Sequence, residues 1–267
     1  MEHILKIENL SLKYEEKNVI DNLSFYVKKG EFLGIAGRNG SGKSTLSRLL
    51  VGLEVADSGK IYYLDDEYKF KTMTNIREKV SLVFQNPNNQ IIGNTVLDDL
   101  AFALENRGIH REAIKERVYW IAEKFNLLDI LEKNPSELSG GQKQMVAIAG
   151  VLIFNPEVLI LDEVTSMLDA YSKKIVREML NEIKKDHTII HITHDAEDLL
   201  ETDRVVVLDK GKIALDIKPV DLFKDMILCK KHMLQKPFYY EAVDTLRVAK
   251  RSNNSEESVE EWLSKLK

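Results

Sequence analysis

The chain has 267 residues, of which 44% are hydrophobic and 30% charged, and its formal net charge is −5 at pH 7. This length suits one compact core with an appended segment, and the composition is ordinary for a soluble protein. The acidic balance argues against nonspecific binding of nucleic acid, which usually requires a basic excess. No apolar stretch approaches the ~18 residues that a membrane-spanning helix needs.

Two further features indicate the environment of the chain. The single cysteine, Cys229, excludes an internal disulfide, fits a reducing compartment and is predicted to be a small, partly buried apolar side chain. The N-terminal segment MEHILKIENL contains acidic residues and no apolar core, so it does not match a signal peptide. We therefore expect a cytosolic protein that reaches a membrane only through a partner.

The first part of the chain is predicted to be rich in strands. Alternating apolar and polar residues predict strands at 3–14 and 19–30, with a turn at 15–18 between them. A buried strand over 31–37 runs into a glycine-rich loop, and a helix is expected over 43–51. Later strands are predicted at residues 59–67, 79–85, 157–163, 187–194 and 204–216.

From residue 88 to residue 154 the pattern changes to apolar residues at three- and four-residue spacing, which is typical of helices. The helices predicted there and beyond cover residues 96–108, 111–127, 140–154, 170–185, 220–234, 241–249 and 258–267, with a polar loop or linker over 251–258. The aliphatic run VLIL within 157–163 is typical of a parallel strand covered on both faces. The order of elements predicts an α/β fold without internal repeats.

The stretch GIAGRNGSGKSTL contains the Walker A pattern Gly-x-x-x-x-Gly-Lys-Ser over residues 37–44, preceded by a strand and followed by a helix. Glycines permit positive φ, so that successive backbone N–H groups point at phosphate oxygens, and the helix adds its positive dipole end. Lys43 is predicted to reach the outer phosphates, and Ser44 is predicted to ligate Mg²⁺. A glycine turn without a ligand would need neither Lys43 nor Ser44. The expected ligand is therefore a nucleoside triphosphate.

The stretch VLILDE provides two carboxylates. Asp162 lies at the C-terminal end of the predicted strand, where open parallel sheets present ligands, and is expected to hold Mg²⁺ directly or through water. Glu163 follows and faces differently, so that it can orient and polarise the attacking water. Two adjacent carboxylates can simply be charged side chains in solvent. The aliphatic run before Asp162 and the phosphate loop upstream favour a catalytic pair instead.

The pentapeptide LSGGQ lies between these two motifs, at residues 138–142. Ser139 stands where a helix N-cap is expected, and the two glycines allow backbone N–H groups to approach a phosphate, although a well-capped helix alone would explain the same residues. The pentapeptide resembles the signature of the ATP-binding cassette (ABC) family. That resemblance implies a head-to-tail dimer with two shared sites, in which the signature closes over ATP held by a second subunit. The residues implied in this contact are Ser139, Gly140, Gly141, Gln142 and Asp169.

Other family elements follow in order, and the resemblance implies their roles. Gln85 in LVFQNP matches the glutamine that contacts Mg²⁺ and water and senses the γ-phosphate. Asp169 in SMLDA matches the D-loop, and His194 in ITHD matches the switch histidine, which bonds the γ-phosphate and the water of Glu163. Tyr14 matches the aromatic residue that stacks on adenine, although a strand often carries a tyrosine for packing alone.

The resemblance thus implies three overlapping sets of site residues in this chain. The ATP contacts are Tyr14, Gly37, Asn39, Gly40, Ser41, Gly42, Lys43, Ser44 and Thr45. The Mg²⁺ ligands are Ser44, Gln85 and Asp162. The catalytic residues are Glu163, His194, Lys43 and Gln85.

The resemblance covers residues 3 to about 215 and implies a P-loop NTPase fold, with a RecA-like core, an antiparallel β subdomain and an α-helical subdomain at about 88–155. The ATPase domain is expected at 1–215. A C-terminal helical extension is expected at 216–267, with a role in contact between ATPase subunits.

Finer features resemble the energy-coupling factor (ECF) branch of the family. VFQNPNNQIIGNTVLDDLAF resembles its Q-loop region, DEVTSMLDA resembles the SMLD form of the first of its two ATPase subunits, and QKPFYYEAVDTLRVAK resembles its helical tail. This resemblance implies a peripheral ATPase at the cytoplasmic face of a prokaryotic membrane, in an importer of a vitamin or metal. Its partners would be a second, distinct ATPase, a transmembrane coupling protein and a substrate-binding membrane protein. Val164 stands where the family usually has Pro or Ala, and Ala170 stands where it usually has Pro. These two departures loosen the assignment to this branch.

The polar segment around 85–105 is a candidate groove for a basic coupling helix. Its predicted lining residues are Asn88, Asn89, Gln90, Asp98 and Asp99. The alternative is a solvated polar loop followed by an acidic helix N-terminus.

Four other functions remain to be weighed. A soluble ABC ATPase of DNA repair or translation is disfavoured, because the chain has neither tandem cassettes nor a long coiled-coil insertion. A subunit that binds ATP without turnover is disfavoured by Glu163 and His194. A P-loop kinase or GTPase does not carry LSGGQ. The ATPase of another ABC importer stays open.

Overall fold

The computed structural model describes residues 2–253, with side chains up to residue 245. These residues form a four-stranded antiparallel sheet in the order β2-β1-β4-β5 and a six-stranded sheet in the order β10-β9-β3-β8-β7-β6. The strands are β1 (His3–Tyr14), β2 (Lys17–Lys28), β3 (Phe32–Gly37), β4 (Ser58–Tyr63), β5 (Asp66–Glu67), β6 (Val80–Val83), β7 (Val158–Asp162), β8 (Thr188–Ile192), β9 (Arg204–Asp209) and β10 (Lys212–Ile217). Within the larger sheet all neighbours pair in parallel except β9 and β10.

The described residues also form ten α-helices. They are α1 (Lys43–Leu50), α2 (Met73–Lys79), α3 (Val96–Glu105), α4 (Arg111–Lys124), α5 (Gly140–Leu152), α6 (Ala170–Ile183), α7 (Ala196–Leu200), α8 (Pro219–Lys224), α9 (Met226–Lys231) and α10 (Phe238–Asn253). Among the described residues, none of these helices is both long enough and apolar enough to cross a bilayer.

The parallel strands are buried on both faces, as their aliphatic sequences predict. In β7, Leu159 and Leu161 face a core shared with α3 to α6, whereas Val158 and Ile160 face a core shared with β1, β2 and α1. This alternation follows from the two-residue period of a strand. The larger sheet therefore lies between a helical layer and the antiparallel sheet, which confirms the predicted α/β P-loop architecture with its two subdomains.

Two of the predicted strands are each a hairpin. The segment 59–67 folds as β4 and β5, because the chain turns at Leu64, whose φ is +50°. The segment 204–216 folds as β9 and β10, joined at Lys210 and Gly211, whose φ values of +50° and +79° suit a tight hairpin turn. The prediction of a single strand for each of these two segments is therefore wrong.

The predicted helices are mostly confirmed, with differences at their ends. The predicted helix over 220–234 is two helices, because Asp225 adopts an extended conformation and caps α9 through Ile227 N. Two short helices, α2 and α7, were not predicted, because seven and five residues are too few to show a helical period.

The predicted helix over 241–249 lies within α10, which begins earlier and continues to Asn253. The loop predicted over 251–258 is therefore wrong for residues 251–253. The rest of that loop and the helix predicted over 258–267 lie outside the described residues.

The C-terminal extension packs directly on the ATPase core. Phe223 of α8 is fully buried in a cluster with Cys229 and with Leu199 of α7, and the cluster reaches Ala36 of β3. Cys229 is thus a buried apolar side chain, as predicted. The cluster also contains Val205 and Val207 of β9, so the larger sheet, α7 and the extension share one apolar core.

We expect Phe223→Ala to lower the free energy of unfolding by about 3–5 kcal/mol, since truncating a buried phenylalanine leaves a cavity. Urea denaturation measures this change. Phe70→Ala is the matched control: Phe70 is 98% exposed, so its loss is expected to cost within about 0.5 kcal/mol. Equal, small costs for the two variants would contradict the packing of the extension on the core.

Candidate active site

The loop between β3 and α1 has the backbone of an anion-binding site. Gly37, Gly40 and Gly42 have φ values of +147°, +78° and +104°. A Cβ atom at Gly37 would collide with the carbonyl oxygen of Leu208, and one at Gly42 would lie 2.6 Å from that of Val19. At Gly40, by contrast, nothing lies within 4 Å of the Cβ position. The glycines therefore bring the loop close to its neighbours on one side and leave the other side open to a ligand.

A buried cation and an unpaired hydroxyl lie in this loop. Lys43 is only 5% exposed, and its Nζ donates to the carbonyl oxygens of Gly37 and Arg38, at 2.9 and 3.3 Å. The buried Oγ of Ser41 has no hydrogen-bond partner among the described residues. An anionic ligand with several acceptor oxygens satisfies such donors and balances the ammonium charge, so the loop fits a nucleoside triphosphate.

The first turn of α1 lies against the end of β7. The Oγ of Ser44 is 3.4 Å from Asp162 Oδ1, and the Oγ of Ser47 donates to Asp162 Oδ2 at 3.0 Å. Burial raises the pKa of Asp162, and hydrogen bonds from Ser47 and Ser44 offset only part of this rise. A hydroxyl and a carboxylate are hard oxygen donors, so Ser44 and Asp162 fit a magnesium ion that takes its other ligands from phosphate and water.

Three polar groups converge on the carboxylate of Glu163. Gln85 Nε2 donates to Oε2 at 3.1 Å, His194 Nδ1 lies 3.5 Å from the same oxygen, and Lys43 Nζ lies 3.6 Å from Oε1. Gln85 also donates to Ser166 Oγ at 3.3 Å, so its described contacts are with the Glu163 loop and not with Ser44 or Asp162. The predicted catalytic residues thus lie together, whereas the predicted role of Gln85 as a Mg²⁺ ligand stays a prediction.

The backbone of Glu163 is itself unusual. Its φ is +50°, a left-handed conformation that costs a non-glycine residue about 1–2 kcal/mol. Its N–H donates to the carbonyl oxygen of Ile192 at 2.8 Å, which ties the end of β7 to the end of β8. Such strain persists only where the surroundings enforce it, and it is common at functional sites.

Ser139, Gly140 and Gln142 of the LSGGQ segment are exposed, whereas Leu138 is buried. Ser139 caps α5 by accepting from Gln142 N, and the Gln142 side chain accepts from Ser139 N. A Cβ at Gly140 would meet nothing within 4 Å, and Gly141 lies against Ser172 of α6. Asp169 caps α6, and hydrogen bonds from Ser172 lower the pKa of its carboxylate. The structure therefore brings the signature and Asp169 together, and no described hydrogen bond links them to the loop at 37–44.

Tyr14 lies at the end of β1 and is 43% exposed. Its hydroxyl donates to Glu54 Oε1 at 3.1 Å, which fixes one edge of the ring. The stacking of Tyr14 on adenine stays a prediction. So do the nucleotide contacts of the exposed Asn39 and of Thr45 in α1.

Three of the residues predicted to line a coupling groove make hydrogen bonds within the fold. The Gln90 amide accepts from Phe84 N and donates to Ala147 O, and Asp99 Oδ1 accepts from two loop N–H groups at 2.7 and 3.0 Å. Asp98 forms a capping box with Thr95. The role of these residues in a coupling groove stays a prediction. Asn88 and Asn89 are exposed.

Sequence reasoning missed several side chains of this region. Ser47 lies one helical turn after Lys43, so the helical period offered a signal for its contact with Asp162. Ser166 lies three residues after Glu163, and no sequence pattern predicted its contact with Gln85. Lys173 and Arg177 of α6 pair with Asp195 and Asp198, which lie about twenty positions later in the chain. No local pattern predicts such contacts.

Because burial raises the pKa of Asp162, the charged carboxylate destabilises the ligand-free fold above its ordinary titration range near pH 3.8. We expect Asp162→Asn to unfold at an equal or higher temperature than the wild type at pH 7 without ligand, and any gain to vanish below about pH 3.8. Thermal unfolding at both pH values tests this. Asp65→Asn in an exposed turn is the control and should change stability by less than about 0.5 kcal/mol. A clear fall in the unfolding temperature for Asp162→Asn alone would contradict the account.

Comparison with known proteins assigns the family. The ABC transporter family model matches residues 20–166. The energy-coupling factor transporter ATP-binding protein EcfA1 of Bacillus licheniformis is 41% identical over 254 residues, which cover 92% of this chain and 89% of that protein. The structure of cbiO1 from Clostridium perfringens, part of the ABC transporter complex cbiONQ, superposes with a TM-score of 0.79 at 33% identity, over 91% of this chain and all of that one (100%).

A second solved structure is similar in fold. It is a dimeric ATP-binding cassette in a post-hydrolysis state bound to ADP and Pi, with a TM-score of 0.74 at 27% identity, over 80% of this chain and 98% of that one. The resemblance inferred from LSGGQ and the Q-loop region is thereby confirmed. This chain belongs to the ABC transporter family, among the ATP-binding proteins of energy-coupling factor transporters.

Proposed function

We propose that this chain hydrolyses ATP as the energy-coupling subunit of an ECF-type importer, and that it drives uptake of a vitamin or other micronutrient through membrane partner subunits. The observation that carries the proposal is the convergence of Lys43, Gln85 and His194 on the Glu163 carboxylate, beside an open phosphate-binding loop. Family membership supports ATP as the nucleotide.

The loop and α1 supply the binding half of the site. Backbone N–H groups of the loop and the ammonium of Lys43 would hold phosphate oxygens, and Ser44 and Asp162 would hold Mg²⁺. Bound ATP and Mg²⁺ supply the transferable phosphoryl group and the positive charge that stabilises its oxygens. Lys43 would then exchange its bonds to the loop carbonyls for bonds to phosphate.

Glu163 supplies the hydrolytic half. Its carboxylate orients a water molecule and takes up the proton of that water, while Gln85 and His194 hold the carboxylate in place through Oε2. His194 is 53% exposed on its side chain, so it has room to turn towards a ligand. Positioning and electrostatics of this kind provide most of the catalysis in phosphoryl transfer.

The exposed signature surface is proposed to complete the site of a second cassette. Ser139, Gly140 and Asp169 are exposed, and the dimeric cassette bound to ADP and Pi supports such a pairing. In this arrangement each site lacks half of its donors until the two cassettes close, so hydrolysis requires closure. Closure and reopening would supply the motion that a membrane subunit uses.

The proposed partners follow from the ECF branch. They are a second, distinct ATPase that makes a heterodimer, a transmembrane coupling protein and a substrate-binding membrane protein, and the chain would lie peripherally at the cytoplasmic face of the membrane. The names of the similar proteins, a transporter ATP-binding protein and a part of the complex cbiONQ, support this assembly. The C-terminal extension is proposed to contribute to the contact between ATPases, and no nucleic acid is involved.

We expect Glu163→Gln to lower ATP turnover by about 10²-fold or more, because it removes the group that accepts the proton, while ATP binding is kept and an ATP-bound dimer accumulates. Phosphate release and light scattering of the purified chain, at concentrations that permit pairing, measure these effects. Glu157→Gln is the matched control, since Glu157 directly precedes β7, away from the site, and pairs with Lys79.

Turnover by Glu163→Gln at the wild-type rate would refute the role of this carboxylate. A wild-type chain that binds ATP and never hydrolyses it, alone or with its partners, would favour the alternative of a nucleotide-gated structural subunit.

A further inference from the structure

The residue that follows His194 is held by two cations from α6. Lys173 Nζ lies 2.7 Å from Asp195 Oδ2, and Arg177 lies 3.1 Å from Asp195 Oδ1, so both carboxylate oxygens are occupied. Asp195 also caps α7 by accepting from Glu197 N at 3.0 Å. The backbone of the His194 loop is therefore fixed immediately after the histidine.

Arg177 continues this network to a second carboxylate. Its Nε donates to Asp198, whose side chain is 0% exposed. Asp198 also accepts from the hydroxyls of Thr165 and Thr193. Thr165 lies two residues after Glu163, and Thr193 lies one residue before His194. One buried carboxylate thus joins the two loops whose side chains meet in the site.

These ion pairs differ from ordinary surface pairs. Burial acts to raise the pKa of Asp195, but the hydrogen bond from Lys173 and the charge of Arg177 bring that pKa below its ordinary value. Removing one member of a largely buried network leaves an uncompensated charge, so the geometry is strongly enforced. Lys174, the next residue on α6, shows the contrast: it pairs with Glu178 at 3.8 Å, and both side chains are mostly exposed.

The ring of His194 has little else to hold it. Its polar contact among the described residues is with Glu163, at 3.5 Å. The placement of the ring therefore depends on the backbone that Asp195 fixes, and that backbone is tied to α6, the helix capped by Asp169.

We propose that Lys173 and Asp195 are positioning residues for hydrolysis: their ion pair sets the distance between His194 and Glu163 and makes it depend on the position of α6. The inference rests on the proposed function, because it assigns His194 to the reaction. A shift of α6 at Asp169 when a second cassette closes would reach His194 through the Lys173–Asp195 ion pair and the backbone that Asp195 fixes.

The test compares Lys173→Gln with the neighbouring control Lys174→Gln. Lys173→Gln is expected to lower kcat by about 10-fold and to leave the KM for ATP unchanged, since displacing a catalytic group by an ångström costs up to about 10²-fold in rate. Lys173→Arg, which keeps the charge, is expected to restore most of kcat, and Lys174→Gln is expected to match the wild type. Because Arg177 still pairs with Asp195, we expect Lys173→Gln to fold, and thermal unfolding verifies this.

A double-mutant cycle separates positioning from a general structural role. If Lys173 acts through His194, then adding Lys173→Gln to His194→Ala lowers kcat no further. An equal fractional loss in both backgrounds, a raised KM for ATP, or no loss in Lys173→Gln overturns the proposal. Wild-type turnover, and its loss in Glu163→Gln, report separately on the proposed function.

Discussion

The pairing of a buried cation with a carboxylate at the ends of two parallel strands underlies the whole site. Lys43 follows the loop after β3, Glu163 follows β7, and their charged atoms lie 3.6 Å apart. Neither charge could leave water cheaply without the other and without the loop carbonyls that accept from Lys43. Because β8 pairs in parallel with both strands and all three are buried, the sheet fixes the distance between these two residues.

The rest of the chain supports this pair and links it to a second, exposed surface. The hydrolytic side, around Glu163, is largely buried and fixed by contacts from three elements, whereas Ser139 and Asp169 face solvent at the starts of α5 and α6. In the proposed pairing of two cassettes, the signature surface of each chain would complete the phosphate-binding loop of the other. Helix α6 would then connect the two surfaces within each chain.

Local patterns predicted much of the fold and site, and contacts distant in sequence account for what they missed. The glycine loop, the aliphatic strand before Asp162 and the capped helix after Ser139 are each read from a few consecutive residues. The hydrogen bond from Gln90 to Ala147 O joins residues 57 positions apart, so no local pattern predicted it. The link from Lys173 to Asp195 likewise exists only once α6 and α7 have packed.

The measurement that tests the account most directly is purification of the tagged chain from the membranes of its own cells in mild detergent, with its partners identified by mass spectrometry. The account predicts a second ATP-binding cassette and small, very hydrophobic membrane proteins, without an extracytoplasmic binding protein. Recovery of the chain from the soluble fraction alone, or with ribosomes or DNA-repair proteins, would contradict its role in a transporter. Hydrolysis of ATP by an isolated monomer would contradict the composite site.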